Sequence, residues 1–211
     1  MKEEIHNICK RYDIKNYTIN DDGSIDVDGD VDLTERGLVR IPIKFREVIG
    51  NFNCSYNELI SLEGGPKRVG GYFECSNNRL TSLEGCPKTV GGDFYCSHNK
   101  LTSLKGSPKR VGGHFSFSEN KLTSLDGCPE RVDGHFNCSF NNLTSLVGGP
   151  ETVGGAFYCG MNELTSLEGG PERVGGHFDC YGNNLPKHII DNPKAELEKI
   201  HRNNKLNTIL G

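Results

Sequence analysis

The sequence predicts a solenoid of mixed α/β class dominated by β, with short parallel strands stacked into a concave sheet. Two observations carry this. Phenylalanine recurs every 21 residues, at Phe52, Phe73, Phe94, Phe115, Phe136, Phe157 and Phe178. Five other columns keep the same step: cysteines from Cys54 to Cys180 interrupted once by Phe117, asparagines from Asn57 to Asn183, two leucine columns starting at Leu59 and Leu62, and prolines from Pro66 to Pro171. One turn of this size cannot bury its own apolar face, so turns must stack into a continuous core.

The unit reads F-x-C-S-x-N-x-L-T-S-L-x-G-x-P-x-x-V-G-G-x. Phe73 and Cys75 are two apart on a strand and point to the same side, inward. Cysteine there acts as a small buried hydrophobe. The asparagines should satisfy backbone groups of the neighbouring turn, because buried backbone cannot stay unpaired. The pair Gly70 and Gly71 is read as supplying a backbone conformation that side-chained residues disfavour. Strands stacked about 4.8 Å apart would give a concave sheet about 35 to 40 Å long. A central Gly-x-Pro leaves little room for helix in each turn.

Stepping 21 residues back from Phe52 places Val31 and Leu33 in the Phe and Cys columns, with Leu38, Ile41, Phe45, Val48 and Gly50 following. The array therefore counts eight turns over residues 30–185. Residues 1–29 form an N-terminal cap: a short amphipathic helix with Ile5, Ile8 and Tyr12 on one side, then Tyr17, Ile19, Ile25 and Val27 around the hairpin signal Asp22-Gly23. Residues 186–211 form a C-terminal helical cap. Pro186 breaks the repeat, and Asn192-Pro193 opens a helix with Leu197, Ile200 and Leu206 facing inward.

Here the chain resembles the leucine-rich-repeat family, whose segment runs L-x-x-L-x-L-x-x-N-x-L. Phe73, Cys75, Asn78 and Leu80 match its second, third, asparagine and last positions. Gly70 stands where the first leucine is expected and Val69 sits one residue early, so each turn carries an extra glycine-rich residue. The short unit with L-T-S-L is similar to bacterial and phage versions of the repeat. The resemblance implies a leucine-rich-repeat array that binds a protein, a host factor if the chain is phage-encoded.

Composition narrows the function. A formal charge of −4 offers no basic field for nucleic acid, and no stretch approaches the ~20 apolar residues of a membrane span. The start MKEEIHNICKRYD lacks the apolar core of a secretory signal. Nine cysteines, an odd number arranged mostly in one inward column, read as core filler and point to a reducing, cytoplasmic compartment, the host cytoplasm for a phage protein.

Candidate chemistry is sparse, and no cofactor is called for. Ser24 to Glu35 spaces its acids much as a calcium-binding loop does, but its flanks alternate like strands where such a loop needs helices. No phosphate loop, H-E-x-x-H or G-x-S-x-G occurs. His114 and His135 share a column and are read as a solvated ladder; the alternative function is an effector or enzyme-associated subunit holding a metal or substrate on that histidine and tyrosine ladder. About 26 residues follow the last turn, too few for an appended catalytic domain.

The expected function is therefore non-catalytic protein binding through outward columns. They vary from turn to turn while the core columns do not. Tyr56, Tyr72, Tyr95 and His98 group toward one end; Phe140, Tyr158, Met161 and Tyr181 group toward the other, with His114, His135 and His177 in the same face. Exposed aromatics without a packing role mark binding surfaces; the plainer reading is that aromatics suit strands. The column after the proline runs Lys67, Lys88, Lys109, then Glu130, Glu151, Glu172, a charge gradient that would orient a partner.

Overall fold

The computed structural model describes residues 1–210. It is a parallel-strand β-solenoid with seven complete turns, each carrying two short strands. The phenylalanine of each turn starts one strand: β3 (Val31–Asp32, where Val31 takes its place), β5 (Phe52–Asn53), β7 (Phe73–Glu74), β9 (Phe94–Tyr95), β11 (Phe115–Ser116), β13 (Phe136–Asn137), β15 (Phe157–Tyr158) and β17 (Phe178–Asp179). These eight pair in parallel as one sheet, each phenylalanine opposite the next.

The valine of each turn ends a second strand: β4 (Phe45–Val48), β6 (Arg68–Val69), β8 (Thr89–Val90), β10 (Arg110–Val111), β12 (Arg131–Val132), β14 (Thr152–Val153) and β16 (Arg173–Val174). β17 has no valine strand after it, so the expected eight turns are seven plus one final strand. The reason is Pro186, which diverts the chain into α2 (Lys187–Asp191) and α3 (Pro193–Leu210) before a return strand forms.

The core is the set of columns read from the sequence. The Phe, Cys and two Leu columns are almost wholly buried along the array, and neighbouring rings of the Phe column lie 4.9 to 6.0 Å apart. The asparagine ladder does what its burial demands. Asn99 Nδ2 donates to the carbonyls of Cys75, Cys96 and Ser97, and its Oδ1 accepts from Leu80 N–H at 3.0 Å. The same set repeats at Asn78, Asn120, Asn141 and Asn162.

The glycine pair has a different reason from the one expected. A Cβ on Gly91 would lie 2.1 Å from the Gly70 carbonyl oxygen, and Gly70, Gly112, Gly154 and Gly175 meet the preceding turn in the same way. These glycines permit close approach between turns; the positive φ values belong to the other glycine column, for example Gly106 at +90°.

Asp133 occupies that crowded column, and there the second sheet is interrupted. One block orders β1-β2-β4-β6-β8-β10 and the other β12-β14-β16, with β1 (Tyr17–Ile19) and β2 (Ile25–Val27) the N-terminal hairpin. Before the seam Lys109 N–H bonds to Lys88 O and Gly112 N–H to Val90 O; the equivalent bonds from Glu130 to Lys109 and from Asp133 to Val111 are missing. At the spacing the glycines keep, a Cβ at position 133 crowds the neighbouring carbonyl, and the two strands part there, although Gly134 N–H still bonds to Gly113 O; Ile49, in the same column, keeps its bond to Val27 O where β4 meets the hairpin strand. The two turns stay joined on the phenylalanine sheet. A cleft of about 800 Å³ runs along the second sheet from Glu47 to the seam, lined in part by Lys109, Arg110, Glu130 and Arg131.

At the N-terminus α1 (Lys2–Arg11) buries Ile5 and Cys9 on the core, with Ile8 and Tyr12 half-buried beside them. The hairpin does more than cover an end: β2 pairs in parallel with β4 and so begins the second sheet. At the other end α3 buries Leu197 and half-buries Ile200, but Leu206, expected to face inward, is 50 % exposed. Beyond His201 the residues of α3 through Thr208 are exposed. Among the described residues no helix is long and apolar enough to cross a membrane.

Candidate functional site

The outward positions of the phenylalanine sheet fall into four columns around each strand. Tyr72, His114, His135 and His177 precede the phenylalanine; Tyr95 and Tyr158 follow it on the strand; Tyr181 stands in the serine column; Tyr56, His98, Phe140 and Met161 precede the buried asparagine. All lie on one side of the sheet, exposed or half-buried.

The column before the asparagine has a constraint that the sequence pattern hides. Every member sits in the left-handed region, with φ between +53° and +56° from Glu35 to Met161 and +73° at Gly182. Glycine and asparagine tolerate this conformation, and they occupy it at Gly182 and Asn77. Tyr56, Phe140 and Met161 do not suit it, at a cost of about 1 kcal/mol each, and their side chains remain largely exposed.

The column before the phenylalanine is a hydrogen-bonding ladder. Asp30 accepts from Asn51 N–H, Asn51 Oδ1 from Tyr72 N–H, and Asp93 from His114 N–H. His114 Nδ1 then accepts from His135 N–H at 2.8 Å, and His135 Nδ1 from Ala156 N–H at 2.7 Å. The two imidazoles are thus not a merely solvated row. Their rings stack 4.4 Å apart, and each Nδ1 must be unprotonated to accept, which leaves the proton on Nε2. No backbone bond of this kind is made by the His177 ring.

Around this frame the face divides. Toward the N-terminus Tyr72 has its hydroxyl pushed above the usual tyrosine range, first by burial and then by the carboxylates of Asp30, Asp32 and Glu74. The Tyr95 hydroxyl donates to Asp93 Oδ2 at 2.9 Å and is pushed up to about 12, mainly by burial. Burial also raises Glu74, whose carboxylate accepts from Ser76 N–H at 2.9 Å. His98 pairs with Glu119 of the next turn at 2.9 Å. Toward the C-terminus the face is less charged: Tyr158 meets the edge of the His135 ring at 6.2 Å, and Met161 lies against Gly182. The sequence reading, attending to aromatics, passed over these carboxylates; reading the same columns for charge would have found them.

The other candidate features are structural in their surroundings. Asp22 bonds Ser24 and Lys44, and Asp26 bonds Arg46 and Asn20, while the residues after them form β2 and β3. The seam cleft is bordered by Cys128, whose thiol is held well above its ordinary range by burial. Among the described residues no three histidine, cysteine or acidic side chains converge as metal ligands do. Comparison with family models, curated proteins and solved structures finds no match for this chain.

Proposed function

We propose that the chain is a non-catalytic protein-binding module that grips a partner with the exposed face of its phenylalanine sheet. The observation that carries this is the occupancy of the left-handed column by Tyr56, Phe140 and Met161, large side chains kept exposed in a conformation that glycine or asparagine would adopt at less cost. Rigid aromatic anchors on a pre-formed surface are what protein interfaces concentrate. The non-catalytic reading is supported by thiols that burial makes poor nucleophiles and by ring nitrogens committed to backbone bonds.

The finer identity follows the resemblance. We read the repeat as a variant leucine-rich repeat of bacterial or phage type, which the asparagine ladder supports, with α1 and the hairpin as its N-terminal cap and α2–α3 as its C-terminal cap. A cytoplasmic location is supported by nine free thiols, and the partner is then a protein of that compartment, of the host for a phage protein. The test is affinity capture from a native-cell lysate, comparing wild type with a Tyr95→Ala, Phe140→Ala, Tyr158→Ala variant whose fold is checked by circular dichroism. A protein retained by the wild type and lost by the variant is the expected result. Equal retention would place the site elsewhere and sink this reading.

A further inference from the structure

Charge is distributed over this face in a way that its aromatics do not explain. Leaving aside the largely buried serine column, the outward columns comprise 24 positions from Asp30 to Gly182, and none is lysine or arginine, although the chain has 24 of them and a random draw would place about three there. The same columns hold Asp30, Asp32, Glu35, Glu74, Asp93 and Glu119 in the first five turns, and Asp179 in the last. Elsewhere some carboxylates find cations, among them Asp22 with Lys44, Asp26 with Arg46, Glu47 with Arg68, Glu58 with Arg79 and Asp133 with Arg131. On the face, among the described residues, only Glu119 is ion-paired, and with His98.

We propose that the N-terminal half of this face docks a basic segment of the protein partner, its lysine or arginine side chains seated between Tyr56, Tyr72 and Tyr95 and the carboxylates of Asp32 and Glu74. The proposal rests on the protein-binding reading and specifies its partner's chemistry. Tyrosine faces and carboxylates together select cations, through the ring quadrupole and through charge. The carboxylates of Asp30, Asp32 and Glu74 all bear on the Tyr72 hydroxyl, so the field there is negative. Glu74 lies half-buried with only backbone and hydroxyl donors, and a docked cation would supply the partner it lacks. Phosphate backbones are repelled by the same field. A single metal ion is poorly served, since no trio of ligating side chains converges among the described residues.

The probe is a tetra-arginine peptide, with tetra-lysine and tetra-glutamate alongside, titrated into the ¹⁵N-labelled chain at low and at moderate salt. Saturable shifts should centre on the amides of Tyr56, Tyr72, Glu74 and Tyr95, with affinity falling about tenfold as salt screens the face. The double variant Asp32→Asn, Glu74→Gln should weaken tetra-arginine binding about tenfold, and Glu151→Gln on the far edge should leave it unchanged. Shifts centred on Glu130, Glu151 and Glu172, an unchanged affinity in the double variant, or preference for tetra-glutamate would each overturn the proposal. Its failure is separable from that of the broader reading: capture that still depends on Phe140 and Tyr158 while peptide binding fails removes the basic segment alone.

Discussion

Replacing Gly91 with alanine sets a Cβ 2.1 Å from the Gly70 carbonyl oxygen, well over 1 Å inside the ~3.5 Å of ordinary contact. The obstacle is backbone, so no side chain can swing aside. The turns must part, as they do beside Asp133, and the bonds from Gly91 N–H to Val69 O and from Lys88 N–H to Lys67 O are lost. Each contributes about 0.5 to 1.5 kcal/mol net. Alanine's smaller unfolded-state entropy returns about 0.5 to 1 kcal/mol. The expected net loss is about 0 to 2.5 kcal/mol, centred near about 1 kcal/mol and read by urea unfolding, with faster hydrogen exchange at Lys88 and Gly91. Asp133→Gly is the reciprocal change. It should slow exchange at Glu130 and at position 133 while altering global stability by under about 1 kcal/mol, since the exposed Arg131–Asp133 pair contributes little. A Gly91→Ala chain of unchanged stability and exchange would refute the steric origin of the seam.

Four further outcomes follow from the packing and the titrating groups. Asn99→Ala strands the Leu80 N–H in the interior, whereas the carbonyls of Cys75, Cys96 and Ser97 keep their bonds from Asn78, Asn120 and the Asn77 N–H, and it should cost about 1 to 3 kcal/mol, measured by urea denaturation. Phe140→Gly relieves the left-handed strain and should raise stability by about 0.5 to 1 kcal/mol while abolishing capture of the partner; a loss of stability would contradict the strain argument. Burial raises the folded-state Glu74 carboxyl above its unfolded value of about 4.3. Folding therefore favours its protonated form, and that contribution is lost as pH rises through the folded value. Glu74→Gln should be more stable than wild type at pH 7 and equal to it below about pH 4, in paired thermal melts. Burial pushes the Cys180 thiol up to about 11 and the enclosed thiols of Cys54, Cys75 and Cys159 further; at pH 8 a disulfide reagent should modify these only at the rate of unfolding.

Period and burial were legible in the sequence because stacking imposes them on every turn alike. The Phe, Cys, Leu and Asn columns are core or ladder for reasons that residue type alone conveys. What the sequence hid depends on geometry between turns. Gly70 and Gly91 look like residues chosen for unusual dihedrals, yet a carbonyl of the preceding turn is what excludes a side chain. His114 and His135 look idle until the N–H of the following turn is seen to reach each Nδ1. The left-handed column holds glutamate, tyrosine, histidine, phenylalanine and methionine, so no residue preference announces it, and only Asn77 and Gly182 hint at the dihedral. Asp133 was visible, with Ile49, as a departure in a glycine column, but its effect needs the neighbouring strand. The final half-turn was overcounted because Phe178 to Leu185 keeps the pattern until Pro186 turns the chain away.

The constant register of the phenylalanine sheet makes the molecule a ruler. Every outward residue occupies the same place on its own rung, and one rung is about 4.8 Å. The N-terminal tyrosines with their neighbouring carboxylates and the Phe140–Tyr158–Met161 group therefore stand at a distance set by whole numbers of 21-residue units. Inserting one unit between them would slide the two groups apart by a single rung without altering either. Recognition on such a surface is divided into graduations, and the spacing of anchors on a partner can be matched by counting turns.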